Sequence, residues 1–264
     1  MKNILLLVHE DDGQEARLQV ALDAARAVGG HLECIELREF PVLAFGAFAG
    51  SAEGLAIAEI DRLQRELRLR LERRLAEEDV PWSLGQSFSR PAEALADGAD
   101  LADLIVLSSR LEDGGDAQTR PEALPLRAAR PMLAVPPAAR SLRLDQGALI
   151  AWDGSSAAIE AVRGAVPLLR SAASVTLVEI DPPAGRMSMQ VIATYLSRHG
   201  VVPHLIERQR RETIAATLID QINATDPGFL VMGAYGNSPL AEAIFGGVTR
   251  TMLATCPIPL LMAH

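Results

Sequence analysis

Short β-branched or leucine-rich runs alternate with longer stretches of helical periodicity along this chain. Apolar runs at residues 3 to 8, 31 to 37, 81 to 88, 103 to 108 and 131 to 135 predict strands. Between them the pattern predicts helices near 14 to 28, 52 to 78, 91 to 98 and, more weakly, 119 to 129. After the segment PPAARSLRLD the pattern restarts, with strands near 147 to 152, 174 to 180, 201 to 207, 228 to 232 and 258 to 262. Helices fit near 156 to 171, 187 to 199, 211 to 224 and 239 to 254, the last broken at a glycine pair. Such alternation implies α/β architecture: parallel sheets, right-handed crossovers and helices on both faces. The restart implies an internal duplication of a unit of about 130 residues, an ordinary domain size. Residues 1–137 and 146–264 are the two expected domains, each with a five-stranded parallel sheet.

The two halves agree in detail. An acidic, glycine-containing turn follows each first strand, HEDDG in one half and WDGSS in the other, and a proline precedes each last strand, in ARPMLAVPP and CPIPLLMAH. Ligands of open α/β sheets gather at the carboxyl ends of strands, which brings the turn after the first strand and the turn after the fourth to one crevice. In the second half these are Asp153, Gly154 and Ser155 on one side and the stretch from Met232 to Thr249 on the other.

That second stretch holds the most specific motif. Gly233 and Gly236 close the strand FLVMGAYG, and Gly246 and Gly247 follow after nine intervening residues, ahead of a helix that begins near Val248 and Thr249. Glycines let backbone N–H groups approach a ligand, and a helix N-terminus favours an anion. No G-x-G-x-x-G follows either first strand, and Lys2 is the only lysine, so neither a Rossmann turn nor a P-loop is present. A phosphate here would be held by backbone amides and hydroxyls. The glycines would equally serve tight turns alone, and Asp153 would equally cap the helix from 156, a role Ser155 or Ser156 also fits.

Composition narrows the classes. The 264 residues carry a formal net charge of −9, which excludes non-specific nucleic-acid binding through a basic face. Cys34 and Cys256 form no CxxC or metal-spaced pair, and the histidines show no ligand spacing. The first apolar run ends in acid without a cleavage site and no run reaches the ~18 residues of a membrane span, so a soluble, cytoplasmic protein is expected. Ser155 sits outside a G-x-S-x-G elbow, and no catalytic residue is assigned. The apolar segment FPVLAFGAFAG at residues 40 to 50 reads either as a loop folded over its own domain or as a lid or contact surface. The stripe Ile60, Leu63, Leu67, Leu71 and Leu75 reads as a helix face packed on a sheet, or as a coiled-coil seam.

The spacing Gly233, Gly236, Gly246, with the WDGS turn and the closing strand CPIPLLM, resembles the universal stress protein family, and the whole chain resembles a tandem member. The family pattern places Ser or Thr after the third glycine, where this chain has Gly247. The resemblance implies an adenine-nucleotide α-hydrolase-like fold in each half, and ATP, with or without magnesium, or another adenine nucleotide as a regulatory ligand in stress response. It implies Asp153 at the adenosine, and Gly233, Gly236, Asn237, Gly246, Gly247, Val248 and Thr249 around the phosphates. It also implies pairing of the last strands, 131 to 136 with 258 to 262, as an intrachain pseudo-dimer, and further assembly into a homodimer. A nucleotide-free scaffold that binds a protein or apolar ligand, and a weak ATP hydrolase, are the alternatives. In the first half Gly114 and Gly115 are surrounded by Glu112, Asp113 and Asp116, so no ATP site is expected there.

Overall fold

A computed structural model describes residues 1–8, 11–37, 51–87, 98–109, 130–181, 185–234 and 247–264. The first half contains β1 (Asn3–Val8), α1 (Gln14–Val28), β2 (His31–Leu37), α2 (Ser51–Ala76), β3 (Trp82–Ser87), β4 (Leu104–Ser108) and β5 (Met132–Val135). The second contains β6 (Ala148–Trp152), α3 (Ser156–Leu169), β7 (Val175–Ile180), α4 (Met189–Arg198), β8 (His204–Arg208), α5 (Ile214–Thr225), β9 (Phe229–Gly233), α6 (Gly247–Thr255) and β10 (Leu260–Ala263). The helices expected at 91 to 98 and 119 to 129 lie largely or wholly outside the described residues, as does the apolar segment 40 to 50.

The ten described strands belong to one sheet, ordered β3-β2-β1-β4-β5-β10-β9-β6-β7-β8. Within each half the neighbours are parallel. At the join, β5 and β10 are antiparallel, with Leu133 opposite Leu261. The two expected five-stranded groups are thus fused edge to edge, which removes the exposed edge that each last strand would otherwise present.

The inner strands are apolar on both sides because helices cover both faces, whereas the edge strands β3 and β8 carry exposed polar residues. Ile4, Leu6, Leu133, Ile150, Val231 and Leu261 point toward the face carrying α1, α3 and α4. Leu5, Ile105, Met132, Leu149, Leu230 and Leu260 point toward the face carrying α5 and α6. On the first face α1 and α3 come together over the join, and Ala21, Ala24 and Ala25 of α1 and Ala158, Ala161 and Ala165 of α3 are all buried there. Gly164 of α3 lies so close to Pro131 that an added Cβ would fall 2.4 Å from its Cγ. The segment between the halves is tied to both: the Leu142 amide donates to Asp23 at 2.9 Å, and Arg143 makes a two-pronged pair with Asp226 at 3.1 and 2.9 Å.

Two sequence expectations shift. β8 starts at His204 rather than 201, because Val201 is buried before the strand and Pro203, which has no amide to give a sheet ladder, precedes it. Among the described residues of the α2 stripe, Leu75 is buried and Leu71 partly so, while Leu63 is exposed. The side chain of Ile60 lies outside the described residues.

Candidate functional site

From β6 the chain crosses to β7 on one side, while β9 flanks β6 on the other. The gap between the carboxyl ends of β6 and β9 is therefore a topological switch point, where open α/β sheets bind ligands. Crossover helices run antiparallel to their strands, so α3 and α6 both begin at this end, on opposite faces.

The turn Asp153–Ser155 forms one wall. Asp153 Oδ1 accepts from the Ser155 amide at 3.0 Å and from its hydroxyl at 2.6 Å. Ser155 is the N-cap of α3, its Oγ accepting from the Ala158 amide at 3.1 Å. Asp153 therefore does not cap the helix; it orients the residue that does. Its second oxygen meets Arg186 Nη1 at 3.2 Å. Gly154 has φ +68 and lies against the 186–187 backbone, an added Cβ falling 2.6 Å from the Met187 carbonyl. The Trp152 indole donates to the same carbonyl at 3.0 Å. The segment before α4 is thus fastened onto this turn.

The opposite wall begins at the end of β9. The Met232 side chain is core, buried on the α5 and α6 face, so only its backbone is available to the crevice. An added Cβ at Gly233 would fall 2.5 Å from the Ala158 amide nitrogen and 2.8 Å from the Ala157 carbonyl carbon. This glycine is required by the approach of α3 to β9, before any ligand is considered. Gly236, Asn237 and Gly246 lie outside the described residues. Gly247 opens α6, is exposed, and has nothing within 4 Å of an added Cβ among the described residues. Thr249 is 5% exposed and Val248 packs partly on the core. At 100° per residue, Gly247 and Thr249 lie on opposite sides of the helix, so the Thr249 hydroxyl does not replace one at 247.

The sequence reading missed Arg186 and Glu179. Glu179, near the end of β7, is 6% exposed, and burial followed by the charges of Glu207 and Asp153 raises its pKa. Its signal was present in the repeat: CIEL in β2 and LVEI in β7 put a glutamate at the same point. Burial pushes the thiols of Cys34 and Cys256 up to about 12 and about 11, so neither is a thiolate at neutral pH. Among the described residues no three His, Cys, Asp or Glu side chains are arranged to hold a metal ion. Among the described residues no helix is long and apolar enough to cross a membrane.

The first half builds the same turn with different contents. Asp11 Oδ1 accepts from the Gly13 amide at 2.9 Å, as Asp153 does from Ser155. Here Arg17 from α1, fully buried, pairs with Asp11 at 2.9 Å and donates to Gln14 at 3.0 Å. Counted from the helix starts, Arg17 occupies the place of Ile159 in α3. A protein guanidinium thus fills space that is apolar in the second half. The acidic segment around Gly114 and Gly115 lies outside the described residues.

The fold and switch-point crevice define an α/β protein built from two like halves on one sheet. The family model described as the Universal stress protein family matches residues 147–264, the whole of the second half. A universal stress protein from Archaeoglobus fulgidus DSM 4304 is similar in fold over the entire chain, with TM-score 0.72 at 13% identity, covering 99% of this chain and 97% of that one. A functionally unknown protein from Pseudomonas aeruginosa PAO1 is similar with TM-score 0.54 at 15% identity, covering 98% of this chain and 91% of that one. The comparison with curated proteins found no match.

Proposed function

We propose that this protein is a cytoplasmic tandem universal stress protein whose C-terminal half binds ATP or a related adenine nucleotide as a regulatory ligand. Support for the stress-protein class comes from the family match over residues 147–264 and the whole-chain fold likeness. The observation that carries the nucleotide reading is the pairing, at the β6–β9 switch point, of the Asp153 turn with an open glycine at the start of α6. Asp153 offers carboxylate oxygen to ribose or base donors, and exposed Gly247 leaves room for phosphate at a helix N-terminus. Gly236, Asn237 and Gly246 complete the phosphate side by their spacing in the sequence.

The first half serves as a structural partner without a nucleotide, because Arg17 already neutralises Asp11 and fills the turn. On this reading the nucleotide acts by occupancy, and a weak ATP hydrolase is the alternative. Mass spectrometry of supernatant from the denatured, purified protein tests this: released adenine nucleotide is the expected result. Its absence, joined with no ATP binding in the presence of magnesium, would leave the nucleotide-free scaffold as the better account.

A further inference from the structure

Ala234, the residue after β9, is fully buried and is held at both of its backbone groups. Its amide donates to the Ala263 carbonyl at 2.8 Å, one step beyond the strand register that ends with Gly233 opposite Ala263. Its carbonyl meets His264 Nδ1 at 2.9 Å. A carbonyl offers only lone pairs, so this ring nitrogen carries a proton and donates it. The neutral ring is thereby fixed as the Nδ1–H tautomer, with Nε2 as the acceptor.

The repeat shows that the fold does not require this bond. Ser109 follows β4 as Ala234 follows β9, and its amide donates to the Val135 carbonyl at 2.9 Å in the same way. The counterpart of His264 is then Pro136, and proline has neither an amide hydrogen nor a side-chain donor. The β9–β10 ladder is already secured by four register pairs and by the buried side chains of Leu260, Leu261 and Met262. A bond that one half omits while keeping the fold serves something the halves do not share. At this end of the sheet they differ in the glycine motif: Ser108 stands in the first half where Gly233 stands in the second.

From Ala234 the chain leaves the sheet toward Gly236 and Gly246. Gly233 is fixed by α3, an added Cβ falling 2.5 Å from the Ala158 nitrogen, and Ala234 by His264. Backbone donors that hold a phosphate bind best when they are set before it arrives, because every group ordered on binding subtracts from affinity. We propose that His264 is a positioning residue of the C-terminal site: by holding the Ala234 carbonyl it fixes the direction in which the chain leaves β9 on the glycine side of the crevice. The role rests on the nucleotide function proposed above, and His264 acts through Ala234 without touching the ligand.

The test is calorimetric titration of the full chain with ATP and magnesium, in the wild type, His264→Ala and His264→Asn. The amide nitrogen of asparagine is attached to Cγ, as His Nδ1 is, and returns a donor to the Ala234 carbonyl. His264→Ala should weaken ATP binding by about three- to tenfold, the worth of one neutral hydrogen bond, while still melting cooperatively. His264→Asn should return the affinity to within about twofold of wild type. Unchanged affinity in His264→Ala, or equal loss in both variants, overturns the positioning role and leaves the nucleotide site standing. Nitrogen-15 NMR of the wild-type ring needs neither ligand nor variant: neutral His264 should be protonated at Nδ1, and protonation at Nε2 overturns the role even if His264→Ala does not fold. Absence of ATP binding by the wild type overturns the nucleotide function and this role together.

Discussion

Leu133 and Leu261 face each other across the antiparallel join of the sheet, and each is the other's counterpart in the repeat. Val106 pairs with Leu133 as Val231 pairs with Leu261, and the amides of Ile105 and Leu230 bond to the carbonyls of Pro131 and Pro259 in the same way. A local twofold axis therefore passes between the two leucines. Both side chains are fully buried on the α1 and α3 face. Leu133→Ala and Leu261→Ala should each cost about 2–5 kcal/mol, the range for deleting a buried leucine side chain. The double variant should depart from additivity, as contacting residues do. Urea unfolding of the full chain measures both; strict additivity would mean that the two side chains do not share a packing environment.

The paired glutamates should respond in opposite ways. Glu36→Gln removes the charge opposite Arg68 and should lower stability, whereas Glu179→Gln relieves a buried acid among acids and should raise it. The pH dependence has a definite sign. The folded-state pKa of Glu179 is raised, so its proton is held more tightly in the native state. Its contribution is intact below the unfolded glutamate value and is lost as pH rises through the folded one. The gain in melting temperature of Glu179→Gln over wild type should thus be small near pH 4 and grow toward neutrality. A gain independent of pH would show that ionisation of Glu179 is not its cause.

Two glycines of one motif should separate by substitution. Gly233→Ala places a Cβ against the backbone of α3 and should destabilise the fold by about 1–3 kcal/mol or more. Gly247→Ser meets open space, should leave stability unchanged or slightly improved, and restores the hydroxyl usual in the family pattern. If phosphate lies there, nucleotide affinity should rise by at most about 1.5–3 kcal/mol, the worth of one hydrogen bond to a charged group. Thermal denaturation and calorimetry on the two variants distinguish packing from ligand contact. A stable Gly233→Ala with wild-type melting would contradict the packing assignment.

Ser155 links the turn to the helix. Ser155→Ala removes both the cap on Ala158 and one of two bonds to Asp153, and should cost about 0.5–2 kcal/mol. Ser155→Asp, another good N-cap, should recover much of the capping energy while placing a second acid beside Asp153. Chemical denaturation of both variants checks the pair; equal losses would show that the cap is not what stabilises the turn.

The α/β alternation was legible because the inner strands are buried on both sides and the helices on one, so periodicity reports the layers directly. Asp153 and Ser155 were legible as a turn, but which of them caps α3 depends on geometry: residue 155 is extended and its oxygen reaches Ala158. Gly233 looked like a ligand glycine; contact with a helix far away in sequence, at Ala157 and Ala158, gives it a packing role that spacing alone does not reveal. Arg186 and Glu179 were missed because their meaning is relational. One matters through Asp153, and the other through the like charges of Glu207 and Asp153, where Glu36 meets Arg68 and Gln86.

The central claim is that nucleotide binding belongs to the second half of this chain. Calorimetric titration of the intact protein with ATP and magnesium reads the stoichiometry as well as the affinity. Saturable binding at one site per chain, strengthened by Gly247→Ser and unaffected by Arg17→Lys, is the predicted result. Saturation at two sites, or no binding at all, would contradict it.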